Sequence, residues 1–340
     1  MEKVKWLLLS VLILCLTIVT PKPGQAFYEG KVLRILVISP PGSLTDIEAR
    51  LVARHIGRQI PGKPGVIVQS VVGGGGINMA NYLYRVAKPD GLTIGVNGTL
   101  VALHKLLGTR GVKYKVEDFT WLGSFADPYF VLLFHAKTPY DSVAALKKAS
   151  KPPKLGVPSV RHAIYLQSRI WEEALGVKFQ YTFGYSPPEI ELAVDRREID
   201  GRSFTLSNLF NRRPDWIDQG YHFVSVTSRE RDKRLPKTPT IWELIKDEDT
   251  RTFIETAMVP FQTPRPWSAP PGVPKDRVQI LRKAFMDTLK DPKFVKDAKR
   301  SALPIYPKGG EELARILKER LTQAPPEIRK RIPKLLKPPK

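Results

Sequence analysis

Two rhythms of apolar and polar positions alternate along most of the chain. Short apolar runs predict buried strands, and longer stretches with apolar residues three and four apart predict helices. Val32 to Ile38 reads as a strand that passes through Pro40-Pro41-Gly42-Ser43 into a helix whose Ile47, Leu51, Val52 and Ile56 share one face. Thr45 and Glu48 have the spacing of a capping box at its start. A second strand, Val66 to Val72, meets Gly73 to Gly76 and then a helix through Met79, Leu83 and Val86, which Pro89-Asp90-Gly91 stops. Leu92 to Val96 is a third strand and leads to Asn97-Gly98-Thr99.

From Tyr129 a second set of elements begins. It comprises a strand Tyr129 to Phe134, a helix capped by Asp141 or Ser142, and a strand ending at Gly156. A helix through Ile164, Ile170, Trp171 and Leu175 then stops at Gly176, and a strand Val177 to Tyr181 leads into Gly184-Tyr185-Ser186. Ser186 to Glu189, with Pro187 and Pro188 inside, marks another helix start. After a strand Phe223 to Thr227 the chain turns proline-rich, and its return to the first set is placed there. Helices Lys275 to Leu289 and Glu311 to Leu321 are expected to pack on the first set, with the tail beyond Pro325 loosely held. The alternation predicts α/β layering with largely parallel sheets.

The first residues change the picture. Lys3 and Lys5 precede an apolar run from Trp6 to Val19, and small residues, Gly24 and Ala26, sit three and one before Phe27. Residues 1–26 therefore read as a cleavable signal peptide, because the run is shorter than the ~20 residues that span hydrocarbon. An uncleaved anchor is the alternative. Cys15, the only cysteine, follows Leu14 inside that run and lacks the small residue a lipoprotein signal would place before it. The processed chain is thus expected to hold no thiol, disulfide or thiolate metal site. Taking 26 from 340 leaves 314 residues, enough for two domains with separate cores.

The formal charge is +22, of which the leader contributes +2, leaving +20. Basic residues are spread along the chain and gather near the end, at Lys318, Arg320, Arg329, Lys330, Arg331, Lys334, Lys337 and Lys340. Such a field draws anionic small molecules or a membrane surface. No basic stripe interleaved with aromatics and no recognition motif points to nucleic acid.

Each early strand opens into small residues, and two of them run straight into a helix. Unpaired amides and a partial positive charge at a helix start suit a carboxylate. Pro40 to Asp46 and Gly73 to Asn78 offer such amides, and Thr99 adds a hydroxyl. The plainer reading is that the glycines make tight turns and Asp46 helps to cap its helix. Enzyme motifs fail: Gly57 to Lys63 has P-loop spacing, but Pro64 stands where a magnesium-binding hydroxyl belongs. Gly73 to Gly76 lacks the third glycine of a dinucleotide fingerprint, where Asn78 or Met79 stands. His55, His104, His135, His162 and His222 have no metal-ligand spacing, and Ser159 lacks the glycines of a nucleophile elbow. The expectation is a protein without catalysis, cofactor or metal.

Ile35 to Arg50, Val68 to Asn97, Glu198-Ile199-Asp200-Gly201, Leu235 to Pro239 and Ala269 to Pro274 stand in the order found in substrate-binding receptors of tripartite tricarboxylate transporters. Nearly all of the chain after the leader resembles that family. The resemblance implies an α/β, two-lobed type II periplasmic-binding-protein fold with a ligand cleft between the lobes. The lobes would comprise 27–125 and 236–340 on one side and 126–235 on the other. It further implies a monomeric periplasmic receptor that captures a small mono- or dicarboxylic acid and hands it to the membrane subunits of such a transporter. A sensor serving a two-component kinase and an exported enzyme of similar fold are the rivals.

By position, Pro41, Gly42, Ser43, Thr45 and Asp46 carry over to a carboxylate site, completed by Gly74, Gly75, Gly76, Asn78, Asn97 and Thr99. Ser159, Arg161, His162, Tyr185, Ser186 and Thr205 fall where the family closes on the ligand's other end. The chain departs at Ser43 and Leu44, where glycine and a small polar residue are common, and at Val157 to His162, where glycines and small hydroxyl residues are common. Arg161 either pairs with a second carboxylate or points to solvent. Arg265, between Pro264 and Pro266, could rim the cleft, but the expectation is surface exposure.

Overall fold

Two β-sheets organise the protein in a computed structural model that describes residues 27–104, 107–319 and 325–337. The predicted signal peptide lies outside those residues. The first sheet is built from β1 (Val32–Val37), β2 (Gly65–Ser70), β3 (Thr93–Val96), β4 (Thr120–Ser124), β10 (Trp267–Ala269) and β11 (Lys308–Gly309), in the order β11-β4-β10-β3-β1-β2. The second holds β5 (Phe130–Phe134), β6 (Lys154–Val157), β7 (Gln180–Phe183), β8 (Gly201–Thr205) and β9 (His222–Val226), in the order β7-β6-β8-β5-β9. β1, β2 and β3 are mutually parallel, as are β6, β7 and β8, so each trio delivers its loops to one edge.

Burial on both faces explains why β1 reads as a continuous apolar run. Leu33, Ile35 and Val37 join a core with α1 (Leu44–Ile56), α11 (Lys275–Lys290) and α12 (Pro292–Arg300). Leu36 turns the other way, toward α2 (Ile77–Arg85). That second cluster continues into the other sheet through Leu132 and Leu155, and α4 (Ala163–Leu175) adds Leu166, Ile170 and Trp171. A third cluster lies on the opposite face, where α5 (Pro187–Asp195) contributes Ile190 and Val194. α3 (Val143–Lys148), α6 (Leu206–Arg212) and α7 (Asp215–Asp218) complete the connections.

Three local expectations change. Ser43, not Thr45, is the N-cap of α1. Glu48 does not close a capping box, because Arg265 takes its carboxylate. The proline-rich segment after β9 forms α8 (Ile241–Leu244), α9 (Glu248–Ala257) and α10 (Val259–Gln262), and α8 and α9 pack on α4 of the second sheet instead of returning at 236. Beyond α13 (Gly310–Leu317), which lies on β4, the tail is not loose: α14 (Pro326–Leu335) packs on α4 and α9. Its basic composition hid one apolar stripe, since Ile328, Ile332 and Leu335 recur at helical spacing and are all buried.

Arg169 and Tyr165 of α4 donate to the carbonyls of Leu335 and Lys337, and Arg331 pairs with Asp249 on α9. We expect Ile332→Ala, at a fully buried position, to cost about 2–4 kcal/mol of unfolding free energy by urea titration. A change below about 0.5 kcal/mol would mark the helix as a surface appendage.

Candidate functional site

The loops after β1, β2 and β3 converge on Ile38. A Cβ added to Gly76 would stand 3.2 Å from Ile38 Cγ2, and one on Gly98 would stand 3.1 Å from Ile38 Cδ1. Gly76 also has φ +98°, so close approach and backbone conformation both call for glycine there. Gly74 and Gly75 share the left-handed conformation, and Asn78 Nδ2 donates to the Val72 carbonyl at 3.3 Å, bracing the turn from within.

Asp46 organises the neighbouring loop. It is 1% exposed, and its Oδ2 accepts from the Gly42 amide and from Arg50 Nε, both at 2.9 Å. Oδ1 is buried with no partner among the described residues. The Arg50 hydrogen bond holds this carboxyl below the usual aspartate range, so it is ionised. Ser43 Oγ accepts weakly from the Asp46 amide at 3.4 Å and lies 2.5 Å from Ser39 Oγ. Pro41 and Gly42 are exposed at the tip while Thr45 is buried. The Leu44 and Thr45 amides, first in a 13-residue helix, have no backbone acceptor in the described structure.

Asn97 joins two strands, and its Oδ1 is buried without a partner among the described residues. It is fully buried, and its Nδ2 donates to the Pro266 carbonyl and to Ser268 Oγ, which ties β3 to β10. Thr99 is half-buried at the start of a short 3₁₀ turn, residues 99–102. His104 follows, buried, with its ring at the Gly75 carbonyl. Burial pushes its pKa down, and the charge of Arg161 from the second sheet's loops adds to that effect. Arg161 is exposed and without a hydrogen bond or ion pair among the described residues.

His162 caps α4, its Nδ1 accepting from the Ile164 amide at 3.2 Å. The neutral ring must then carry its proton on Nε2. Burial, with Arg202 adding, pushes its pKa down to about 4. A histidine that folds neutral stabilises the protein fully above its unfolded pKa of ~6.5, and loses that contribution as pH falls toward the folded value. We expect urea midpoints to drop between pH 6.5 and pH 4 in the native protein. His162→Asn, which keeps a capping acceptor but does not titrate, should show a smaller drop; an identical one would remove His162 as the cause.

Ser159 is exposed, and its carbonyl accepts from the His162 amide at 3.1 Å. Ser186 forms a complete capping box with Glu189, as its sequence predicts. Tyr185 turns toward Glu198 and lines a surface groove of about 500 Å³ with Phe183, Leu192 and Arg196. That groove is lined by residues between 182 and 198. Thr205 caps α6, accepting from the Asn208 amide at 3.4 Å.

Four charged or titratable groups near the loops are not among the site residues expected from the sequence. His104 is one. Asp127, between β4 and β5, accepts from the Tyr129 and Ser207 amides at 2.9 and 2.7 Å, and burial raises its carboxyl pKa. Arg265 grips Glu48 with two 2.6 Å hydrogen bonds and is partly buried, contrary to its expected exposure. Its φ of +47° is unusual for a side chain of this size. Arg202 on β8 is 2% exposed, its guanidinium over the Phe204 ring. Together these loops present amides, hydroxyls and one unpaired guanidinium, a set suited to holding an anion.

Comparison with known proteins bears on the fold and the family. The protein described as "UPF0065 protein in tcbD-tcbE intergenic region" from Pseudomonas sp. strain P51 is 25% identical over 300 residues, covering 86% of this chain and 83% of its own. A TctC solute-binding protein from Polaromonas superposes with TM-score 0.68 at 19% identity, over 91% of this chain and 99% of that one. The periplasmic binding protein BugD gives TM-score 0.65 at 21% identity, over 91% and 98%. The two-sheet α/β architecture is thus a periplasmic-binding-protein fold. The profile described as "Tripartite tricarboxylate transporter family receptor" matches residues 49–332, and on that match the chain belongs to this receptor family.

Proposed function

We propose that the protein is a periplasmic receptor that seats a carboxylate of a small organic acid at the 40–46 loop and delivers the acid to the membrane subunits of a tripartite transporter. The observation that carries this reading is the start of α1, where the Leu44 and Thr45 amides lack backbone acceptors in a loop braced by ionised Asp46. Two unpaired donors and the helix dipole attract an anion without a dedicated cation. Two structural neighbours support a carboxylic acid as the ligand. MatC from Rhodopseudomonas palustris carries malate, at TM-score 0.62 and 18% identity, and a second protein of that organism carries adipate, at 0.64 and 17%.

Binding and delivery require no bond to be made or broken. Mass spectrometry of small molecules released from purified protein tests the reading, followed by thermal shift with mono- and dicarboxylic acids. A carboxylic acid should be released or should raise the melting temperature. A ligand without an acid group, or no response to any acid, would overturn it.

A further inference from the structure

We propose that the outer face of α1 and α12 docks the protein on the anionic surface of a lipid bilayer. The inference goes beyond the receptor reading and does not depend on which acid is bound.

The two helices pack side by side on the first sheet, joined where His55 meets Asp297 at 3.0 Å and where its ring lies 5.6 Å from that of Phe294. On α1 and the turn that continues it, Ile47, Arg50, Arg54 and Arg58 recur three and four apart and are all exposed, so they form one stripe. α12 shows Lys293, Lys296, Lys299 and Arg300 to solvent while Phe294 and Ala298 are buried. The carboxylates here are engaged. Arg50 takes Asp46, Arg265 takes Glu48, Arg58 takes Asp291, and His55 takes Asp297. Arg54, Lys293, Lys296 and Lys299 are left without a carboxylate partner among the described residues. Residues 44–58 and 290–300 together hold 8 Arg and Lys against 4 Asp and Glu, so the face is net positive. On α11, packed against both helices, Lys283 is matched by Asp287 and adds no net charge.

Solubility alone does not account for the pattern, since charge of either sign serves it and the excess is unevenly spread. On the second sheet, α5 holds Glu189, Glu191 and Asp195 with no basic residue, and α9 holds Glu248, Asp249 and Glu255 against Arg251. Apolar side chains stand among the cations of α1 and α12: Leu44, Ile47 and Val295 are 39%, 41% and 43% exposed. Scattered singly, such residues call for no explanation. Interleaved with unmatched cations on one face, they suit a bilayer interface, which takes cations at its anionic headgroups and aliphatic side chains just below them. The contact proposed is peripheral, and no helix among the described residues is long and apolar enough to cross a membrane. α1 begins at the 40–46 loop, so a protein lying on this face holds that loop beside the bilayer.

The test is co-sedimentation of full-length processed protein with vesicles of phosphatidylcholine alone, or of phosphatidylcholine with about one-third phosphatidylglycerol. No carboxylic acid is added, so the receptor reading stands or falls apart from the result. Binding should be confined to the anionic vesicles and should fall at least about tenfold as salt rises from about 0.05 to about 0.5 M. The triple variant Lys293→Gln, Lys296→Gln, Lys299→Gln should lose about a hundredfold, at about fivefold per charge near the surface. Lys147→Gln, Lys148→Gln and Lys151→Gln remove as many exposed charges on and after α3, and together should cost less than about threefold. Val295→Ser should weaken binding severalfold and leave its salt dependence in place. These are surface changes, and an unchanged melting temperature verifies the fold of each variant. Equal losses in the two triple variants would reduce the effect to net charge and overturn the assigned face. Absence of binding to anionic vesicles at low salt would overturn the proposal outright. Binding to polyglutamate but not to vesicles would also overturn it, and would assign the face to an acidic protein partner.

Discussion

Arg161→Ala is expected to weaken dicarboxylate binding by about one to two powers of ten while leaving the matching monoacid nearly untouched. The residue stands in the loop between β6 and α4, exposed and without an ion pair among the described residues, and its charge reaches His104 on the other side. A charge-assisted, bidentate pair formed as the loops close on a ligand contributes ~1.5–3 kcal/mol, which sets the size of the effect. Calorimetry with one diacid and its monoacid decides. Equal losses for both ligands would assign Arg161 a structural role, and no loss for either would place it in solvent. Salt gives a second check: the contribution of an exposed arginine should weaken between 0.05 and 0.5 M salt, in proportion to screening over ~10 Å or less.

Asp46→Ala is expected to lower affinity for mono- and dicarboxylates alike by about tenfold. The carboxylate receives the Gly42 amide at a left-handed turn and Arg50 from the next turn of helix, so its loss frees the tip of the 40–46 loop. Hydrogen bonds to a buried charged acceptor contribute ~1.5–3 kcal/mol, part of which appears as lost order in the loop that presents the amides. Asp46→Asn keeps an acceptor of the same shape and should cost less. Because Arg50 depresses the carboxyl pKa, the bracing is fully present above the ordinary aspartate value and disappears as pH falls through the depressed one. Unchanged affinity in a stably folded alanine variant would show that the ligand sits elsewhere.

Features carried by local spacing were readable from the sequence. The alternation of strands and helices, the glycine loop between β2 and α2, the Ser186 capping box and the Gly176 stop all follow from neighbours along the chain. What escaped reading depends on residues far apart. Arg265 looked exposed because its partner, Glu48, is 217 positions away, and the same pairing removed Glu48 from the capping box expected with Thr45. Asn97 follows a strand, but the partners of its Nδ2, Pro266 and Ser268, lie 169 and 171 positions away. The segment after β9 was dominated by prolines and hid α9, whose core residues Phe253, Ile254 and Ala257 are all buried. Arg202 could not be singled out, since an arginine in a strand is ordinarily exposed, whereas here it is 2% exposed against the Phe204 ring.

The strand order has a bearing on how the protein reaches its native state. β3 and β4 do not pair with each other; β10 lies between them, more than 140 residues after β4. The first sheet therefore stays split into two parts until residues 267–269 have been made, and its outer edge awaits β11 at 308–309. The second sheet's helix layer is likewise incomplete without α14. No amino-terminal fragment corresponds to a finished folding unit, so the chain must delay its cooperative step until nearly all of it has emerged. A chain cut after residue 235 should lack a cooperative unfolding transition, although it contains every strand of the second sheet.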